Sequence, residues 1–167
     1  HLYGGDQDTR IRQEIVLGIG GVRILEQMSI EPKMYHMNEG HSGFLALEVA
    51  RQYIAREGLN FHDALNKATA KLAFTNHTLK AAGNDIFPYL LLEKYLSPYT
   101  DDLQTDFNTI FELGKDYKQG QEGFSMTILG LRNAKISNAV SIIHGKAAKN
   151  IWPDYDLVPV TNGVHVP

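Results

Sequence analysis

Amide, carboxylate and imidazole side chains crowd into one short stretch of this sequence, His36-Met37-Asn38-Glu39-Gly40-His41-Ser42-Gly43. Asparagine and histidine recur together at Thr75-Asn76-His77-Thr78 and at Thr161-Asn162-Gly163-Val164-His165. An Asn side chain both donates and accepts hydrogen bonds, a neutral His does one of each, and an ionised Glu only accepts. That mixture suits the neutral hydroxyls of a sugar. Asn38, Glu39, His41, Asn76, His77, Asn162 and His165 are therefore candidate carbohydrate ligands, provided one surface gathers them. Asparagine at a strand end is also ordinary turn chemistry, so no single member of the set is diagnostic.

Two other chemistries fit the same stretch less well. His36, Glu39, His41 and His77 could ligate a metal, but the helical His-Glu-x-x-His signature puts both imidazoles on one face. Here His36 and His41 straddle a predicted strand and turn, and no metal site is expected. Ser42 beside His41 suggests a nucleophile, yet the hydrolase elbow needs Gly-x-Ser-x-Gly. In Gly40-His41-Ser42-Gly43 the second glycine comes one residue early, and Ser42 reads better as a helix N-cap.

A parallel sheet would bring the three sets together. Each follows a short apolar run (Met34 to Met37, Leu72 to Thr75, Leu157 to Thr161), with helical patterns between them. Strands alternating with helices indicate an α/β class with a small parallel sheet, and such sheets bind ligands at the carboxyl ends of their strands. Ile11, Ile15, Ile19, Val22 and Leu25 have helical spacing behind the caps Asp6 and Asp8. Gly18, Gly20 and Gly21 interrupt that helix at about 1 kcal/mol each relative to Ala, predicting a bend or a close helix contact. Further helices are expected from Ser42 to about Arg56, from Phe61 to about Ala70 behind an Asn60–Asp63 capping pair, from Pro88 to Leu96, and from Asp101 to Leu113. Ser125 is expected to cap one long helix reaching about Asn150, on the spacing of Leu129, Ile136, Val140, Ile143 and Ala147. Pro159 weakens the last strand or places it at an edge. Asn76 to Asp85 and Lys115 to Gly123 read as loops.

Composition narrows the function classes. The net charge of −3 has no basic stripe, which argues against nucleic acid or an anionic membrane as partner. No apolar run reaches the length of a membrane span, and the absence of cysteine excludes disulfides and thiolate chemistry. A cytoplasmic location is expected. With 167 residues the chain reads as a single segment, 1–167. It starts without Met and stops in a loop-like stretch, so a piece of a longer protein is expected.

Taken in order, the motifs resemble those of the α-glucan (glycogen, starch, maltodextrin) phosphorylases. Tyr3-Gly4-Gly5-Asp6-Gln7-Asp8-Thr9-Arg10-Ile11-Arg12-Gln13-Glu14 is similar to one family signature. Asn38-Glu39-Gly40-His41 resembles a second, and Thr75-Asn76-His77-Thr78 matches a third. Phe124-Ser125-Met126-Thr127 with Ser137 to Gly145 resembles the family's long helix, and Thr161-Asn162-Gly163-Val164-His165-Val166-Pro167 matches the form used by shorter, bacterial-type members. The resemblance implies the later part of the N-terminal domain of a GT-B glycosyltransferase, with a partial Rossmann-like parallel sheet. It implies a retaining enzyme that moves glucosyl between an α-1,4-glucan end and inorganic phosphate, giving glucose 1-phosphate. The cofactor so implied is pyridoxal phosphate, with its lysine outside this chain, so residues 1–167 alone are expected to be inactive. His77 resembles the residue beside the reacting glucosyl unit, and Asn162 one that bonds its C6 hydroxyl. Glu39 and His41 resemble an acid–histidine pair lining the acceptor subsite, with Asn38 and Asn76 among the substrate-binding set. The expected partners are α-1,4-glucan and phosphate, and a homodimer is a further expectation of the family. Other readings are a glucan synthase of the same architecture and a non-catalytic glucan-binding module.

Overall fold

The computed structural model describes residues 4–80, 84–115 and 123–163. Within them β1 (Tyr35–Asn38), β2 (Leu72–Asn76), β5 (Ile136–Ala139) and β6 (Leu157–Pro159) form one sheet in that order, every neighbouring pair parallel. A separate antiparallel pair joins β3 (Ile86–Phe87) to β4 (Phe124–Ser125). The register brings the carboxyl ends level. Asn38 lies opposite Thr75, Asn76 opposite Ala139, and Ala139 opposite Pro159. Past β6 the chain continues beside β5: Val160 N–H donates to Ala139 O at 2.8 Å and Asn162 N–H to Val140 O at 3.1 Å. The parallel sheet and the common edge expected from the sequence are thus observed, and Pro159 sits in an edge strand of the described sheet.

Alternation along the strands separates two faces. Met37, Leu72, Phe74 and Ala139 are fully buried on one, whereas His36 and Asn38 are exposed on the other, beside Ile136 and Val158. Helices cover the first face, as right-handed crossovers that all step the same way across a sheet require. At Gly130, in α8 (Met126–Arg132), a Cβ would stand 2.5 Å from the Phe74 ring, so only glycine allows this helix to lie so close to β2. The connection from β1 to β2 runs through α3 (Leu45–Glu57) and α4 (Phe61–Thr69). Gly58 in the left-handed conformation (φ 65°) ends α3, and Asn60 caps α4 by accepting from Asp63 N–H at 3.0 Å, both as expected.

The N-terminal helical run is α1 (Gln7–Ile15), a π-helical turn at Val16–Gly20, and α2 (Gly21–Gln27). Asp6 is its cap and accepts from Thr9 N–H at 2.8 Å, while Asp8 instead pairs with Arg12 and Lys94. The close contact predicted from the glycines is real at Gly18, whose Cβ would stand 2.8 Å from Leu45 N at the start of α3. Gly20 and Gly21 meet nothing comparable.

Three expectations are corrected. The long helix from Ser125 to Asn150 is three elements: α8, β5 and α9 (Ile142–Ile151). Ser125 does cap α8, but Asn133 leaves the helical conformation and its Nδ2 donates to Leu129 O at 2.8 Å, satisfying a terminal carbonyl. The next residues gain a ladder beside β2, and pairing with a strand remote in sequence overrides the local spacing. Ser141 then caps α9, accepting from His144 N–H at 3.1 Å. The helix expected over Asp101 to Leu113 divides into α6 (Thr100–Leu103) and α7 (Phe107–Gly114), after α5 (Tyr89–Leu96). Gln104 turns left-handed at φ 51°, and Asp106 caps α7 by accepting from Thr109 N–H at 2.9 Å. Finally, Ser42 caps nothing. It ends a 3-10 turn, Gly40–Ser42, its Oγ is buried without a partner, and α3 starts after Phe44. Among the described residues no helix is long and apolar enough to cross a membrane.

Candidate functional site

Glu39 is the first residue past β1, and its backbone is unusual. At φ 66° it occupies the left-handed region that non-glycine residues rarely enter, a conformation worth on the order of 1–3 kcal/mol of strain and concentrated at ligand sites. Its N–H still donates to Thr75 O at 3.0 Å, extending the ladder by one bond. The turn throws its carboxylate across the end of β2. There Oε1 accepts from the backbone N–H of His77, and Oε2 accepts from Asn76 Nδ2 at 3.3 Å. Gly40 makes the turn possible, because a Cβ there would stand 2.8 Å from Met126 Cβ of α8.

Asn76, fully buried, is the centre of this network. Its Nδ2 also donates to Thr78 O at 3.2 Å, and its Oδ1 lies 2.7 Å from His144 Nε2. The accepting Oδ1 fixes the proton of His144 on Nε2. Desolvation holds the His144 imidazolium below its usual range, with the nearby His77 acting in the same direction and Glu39 against it. The His77 ring remains about one-third exposed, with Nδ1 3.9 Å from Glu39 Oε1. The end of β2 is thereby tied to β1 through Glu39 and to α9 through His144. Asn38 is exposed at the end of β1, and Asn162 is exposed on the segment that follows β6 at the same edge. His165 lies outside the described residues.

Glu39 and His41, read from the sequence as one pair, turn to different partners. His41 faces α1. Its Nδ1 stands 3.2 Å from Arg10 Nη2, 3.5 Å from Asp85 Oδ2 and 3.7 Å from Glu14 Oε1. Arg10 donates through Nη2 to Glu14 Oε1 at 3.0 Å and also to Asp85 Oδ2. The carboxyl groups of Asp85 and then Glu14 beside it push His41 up to about 9, against desolvation and the Arg10 charge. Burial pushes the Glu14 carboxyl up to about 8. Asp85 is held well below the usual carboxylate range, the nearby His41 and the bonds from Arg10 outweighing its burial. Ligand atoms of Glu14, His41 and Asp85 fall within 4.8 Å of one another, a spacing compatible with a cation. The Arg10 guanidinium already touches all three, so the chain supplies that positive charge itself.

Sequence reasoning missed Arg10, Glu14, Asp85 and His144. Arg10 and Glu14 are one helical turn apart, a spacing that puts both on one face, but nothing local shows which face meets His41. His144 follows its strand as His41 follows β1, and reading β5 as helix concealed that likeness. A third polar row crosses the exposed sheet face. His36 Nε2 lies 2.5 Å from Thr75 Oγ1, which donates to Asn138 Oδ1 at 2.5 Å.

Pyridoxal phosphate requires a lysine for its imine and donors for its phosphate. None of the groups hydrogen-bonded in the Glu39–Asn76–His77–His144 network is a lysine. The described edge therefore does not fit that cofactor's attachment site.

No family model matches the chain. Among individual proteins, it is 40% identical over 174 residues to a maltodextrin phosphorylase of Thermococcus litoralis, covering 99% of this chain and 20% of the relative. A glycogen phosphorylase of Mycobacterium tuberculosis is 38% identical over 186 residues, with 99% and 21% covered. One from Aquifex aeolicus is 34% identical over 173 residues, with 99% and 25% covered. The chain spans between a fifth and a quarter of the length of these relatives. With Asn38, Asn76 and Asn162 at one sheet edge and 34–40% identity along nearly its whole length, the chain is a homologue of a segment of the maltodextrin and glycogen phosphorylases.

Proposed function

We propose that this chain supplies the sugar-holding edge of a retaining α-1,4-glucan phosphorylase, which transfers glucosyl between a glucan end and inorganic phosphate to give glucose 1-phosphate. One observation carries most of this reading. A buried Asn and a strained Glu, anchored on adjacent strands, lock the backbone on which His77 is displayed. Such an arrangement presents neutral hydrogen-bonding groups without reorganisation, which stabilises an oxocarbenium-like state. His77, through its ring and backbone carbonyl, and Asn162 would hold the C6 hydroxyl of the reacting unit. Asn38, Asn76, Glu39 and His41 would shape the surrounding subsites, with Asn76 acting through the network and His41 facing the acceptor glucan. Pyridoxal phosphate, bound by other parts of the protein, would supply the proton through its phosphate. Residues 1–167 would bind and orient glucan and be inactive alone. Membership of the GT-B class, a cytoplasmic location and assembly as a homodimer complete the proposal.

The experiment is phosphorolysis by the polypeptide that carries these residues, loaded with pyridoxal phosphate. Glucose 1-phosphate release that requires both maltooligosaccharide and phosphate is expected. Glucan binding without release would favour a binding module. Glucosyl transfer from a nucleotide sugar would favour a synthase.

A further inference from the structure

Glu14 is 1% exposed and stands behind both cations of the His41 cluster. Its Oε1 serves Arg10 and faces His41, while its buried Oε2 has no hydrogen-bond partner. The unpaired oxygen costs stability at that depth, while Oε1 is a partner that the buried Arg10 guanidinium needs. Around it the guanidinium is held at every corner. Gln13 Oε1 accepts from Nη1 at 3.3 Å, Asp85 Oδ1 from Nε at 3.4 Å, and Glu14 from Nη2. Arg10, Gln13, Glu14 and His41 wall a cleft of about 670 Å³ that runs along the N-terminal helical run to Leu17 and Ile24. The backbone of His41 is fixed independently, because Gly40 is pressed against Met126. Ring orientation is the freedom left to His41, and among the described residues the α1 groups and Asp85 are the ones that constrain it.

We infer that Glu14 is a positioning residue: its buried carboxyl holds the Arg10 guanidinium and the His41 imidazole in one fixed arrangement at the wall of the cleft, where the acceptor end of a glucan would lie. This role rests on the glucan reading above. Among the described residues, the charged groups facing His41 are Arg10 and Glu14 from α1 and Asp85 from the segment before β3. Glu39, on its own turn, points instead to His77.

Two variants of the full-length protein test it. Glu14→Leu removes acceptor and charge but keeps the volume. The KM for maltooligosaccharide should rise about tenfold with kcat within about twofold, the pattern of lost uniform binding. His41, followed by ring-proton NMR, should lose about tenfold in proton affinity, one pKa step toward its ordinary value. Glu14→Gln keeps an acceptor but no charge, so KM should stay within about twofold of the parent while His41 still titrates lower. A folded Glu14→Leu protein with the parental KM overturns the inference. So does an unmoved His41 in Glu14→Gln, a result that stands even where the leucine variant does not fold. A parent protein with no phosphorolysis refutes the glucan reading instead, and the His41 titration still decides whether Glu14 positions the ring.

Discussion

Replacing Asn76 tests the network where its members converge. Its side chain makes bonds of 3.3 Å to Glu39, 3.2 Å to Thr78 O and 2.7 Å to His144 from a fully buried position. Losing three such bonds at about 1 kcal/mol each should make Asn76→Ala about 3 kcal/mol less stable. For a chain of this size that lowers Tm by about 6–12 °C. Asn76→Asp keeps the shape but points a carboxyl at Glu39. Two unit charges 3.3 Å apart repel by about 5 kcal/mol at an effective dielectric of 20. The introduced group escapes by keeping its proton. Holding that proton at pH 7, against an unfolded value near 3.9, costs about 4 kcal/mol at most, which caps the loss. The sign follows from proton counting. An acid whose folded pKa is raised leaves the folded state with more protons, so stability falls as pH rises above the unfolded value. Asn76→Asp should therefore approach the parent as pH drops from about 7 toward 4, a slope absent when alanine introduces no titrating group. Urea denaturation of parent, alanine and aspartate variants across that range reads both effects. An alanine variant within about 0.5 kcal/mol of the parent, or an aspartate variant that loses stability as pH falls, would refute the reasoning.

Gly130→Ala should lose about 1–3 kcal/mol, the usual range for overpacking, because the new Cβ would lie 2.5 Å from the Phe74 ring against β2; urea melts measure it. The His41 cluster predicts a second pH effect. With His41 raised to about 9 and Glu14 to about 8, both above their unfolded values, the folded state holds extra protons. The His41 contribution is full below about 6.5 and is lost as pH rises through 9, and the burial of Glu14 opposes folding increasingly as pH rises from about 4.5 to about 8. Tm should fall across that window, and His41→Asn should flatten part of the decline. Ser141→Ala should lose about 1 kcal/mol, as N-cap removals do, since Ser141 Oγ accepts from His144 N–H; it should also loosen the His144–Asn76 bond, visible as broadened His144 ring resonances.

Much of the fold was legible from local chemistry. The two strands ending in Asn38 and Asn76, the cap pair Asn60–Asp63 and the stop at Gly58 follow from residue types that act within a few positions. β5 was not, because Ile136-Ser137-Asn138-Ala139 is a strand only in contact with β2, 63 residues earlier. Its neighbours Leu129, Val140 and Ile143 happen to keep helical spacing, so periodicity alone gave the wrong element. The site shows the same division. Asn38, Glu39, Asn76, His77 and Asn162 announce themselves by recurring at strand ends, and the sheet does bring those ends together. The separation of Glu39 from His41 depends on a left-handed backbone at Glu39, which its type does not advertise. Arg10 and Glu14 share a face of α1, but they meet His41 and Asp85 only through packing of α1 against the β1–α3 turn and the segment before β3.

A crystal structure of the full-length protein soaked with a maltooligosaccharide tests the central claim most directly. A glucosyl ring should lie over the carboxyl ends of β1 and β2, with its C6 hydroxyl bonded to the Asn162 side chain and the His77 carbonyl. Sugar bound elsewhere, with the Glu39–Asn76–His77 edge packed against protein instead, would contradict it.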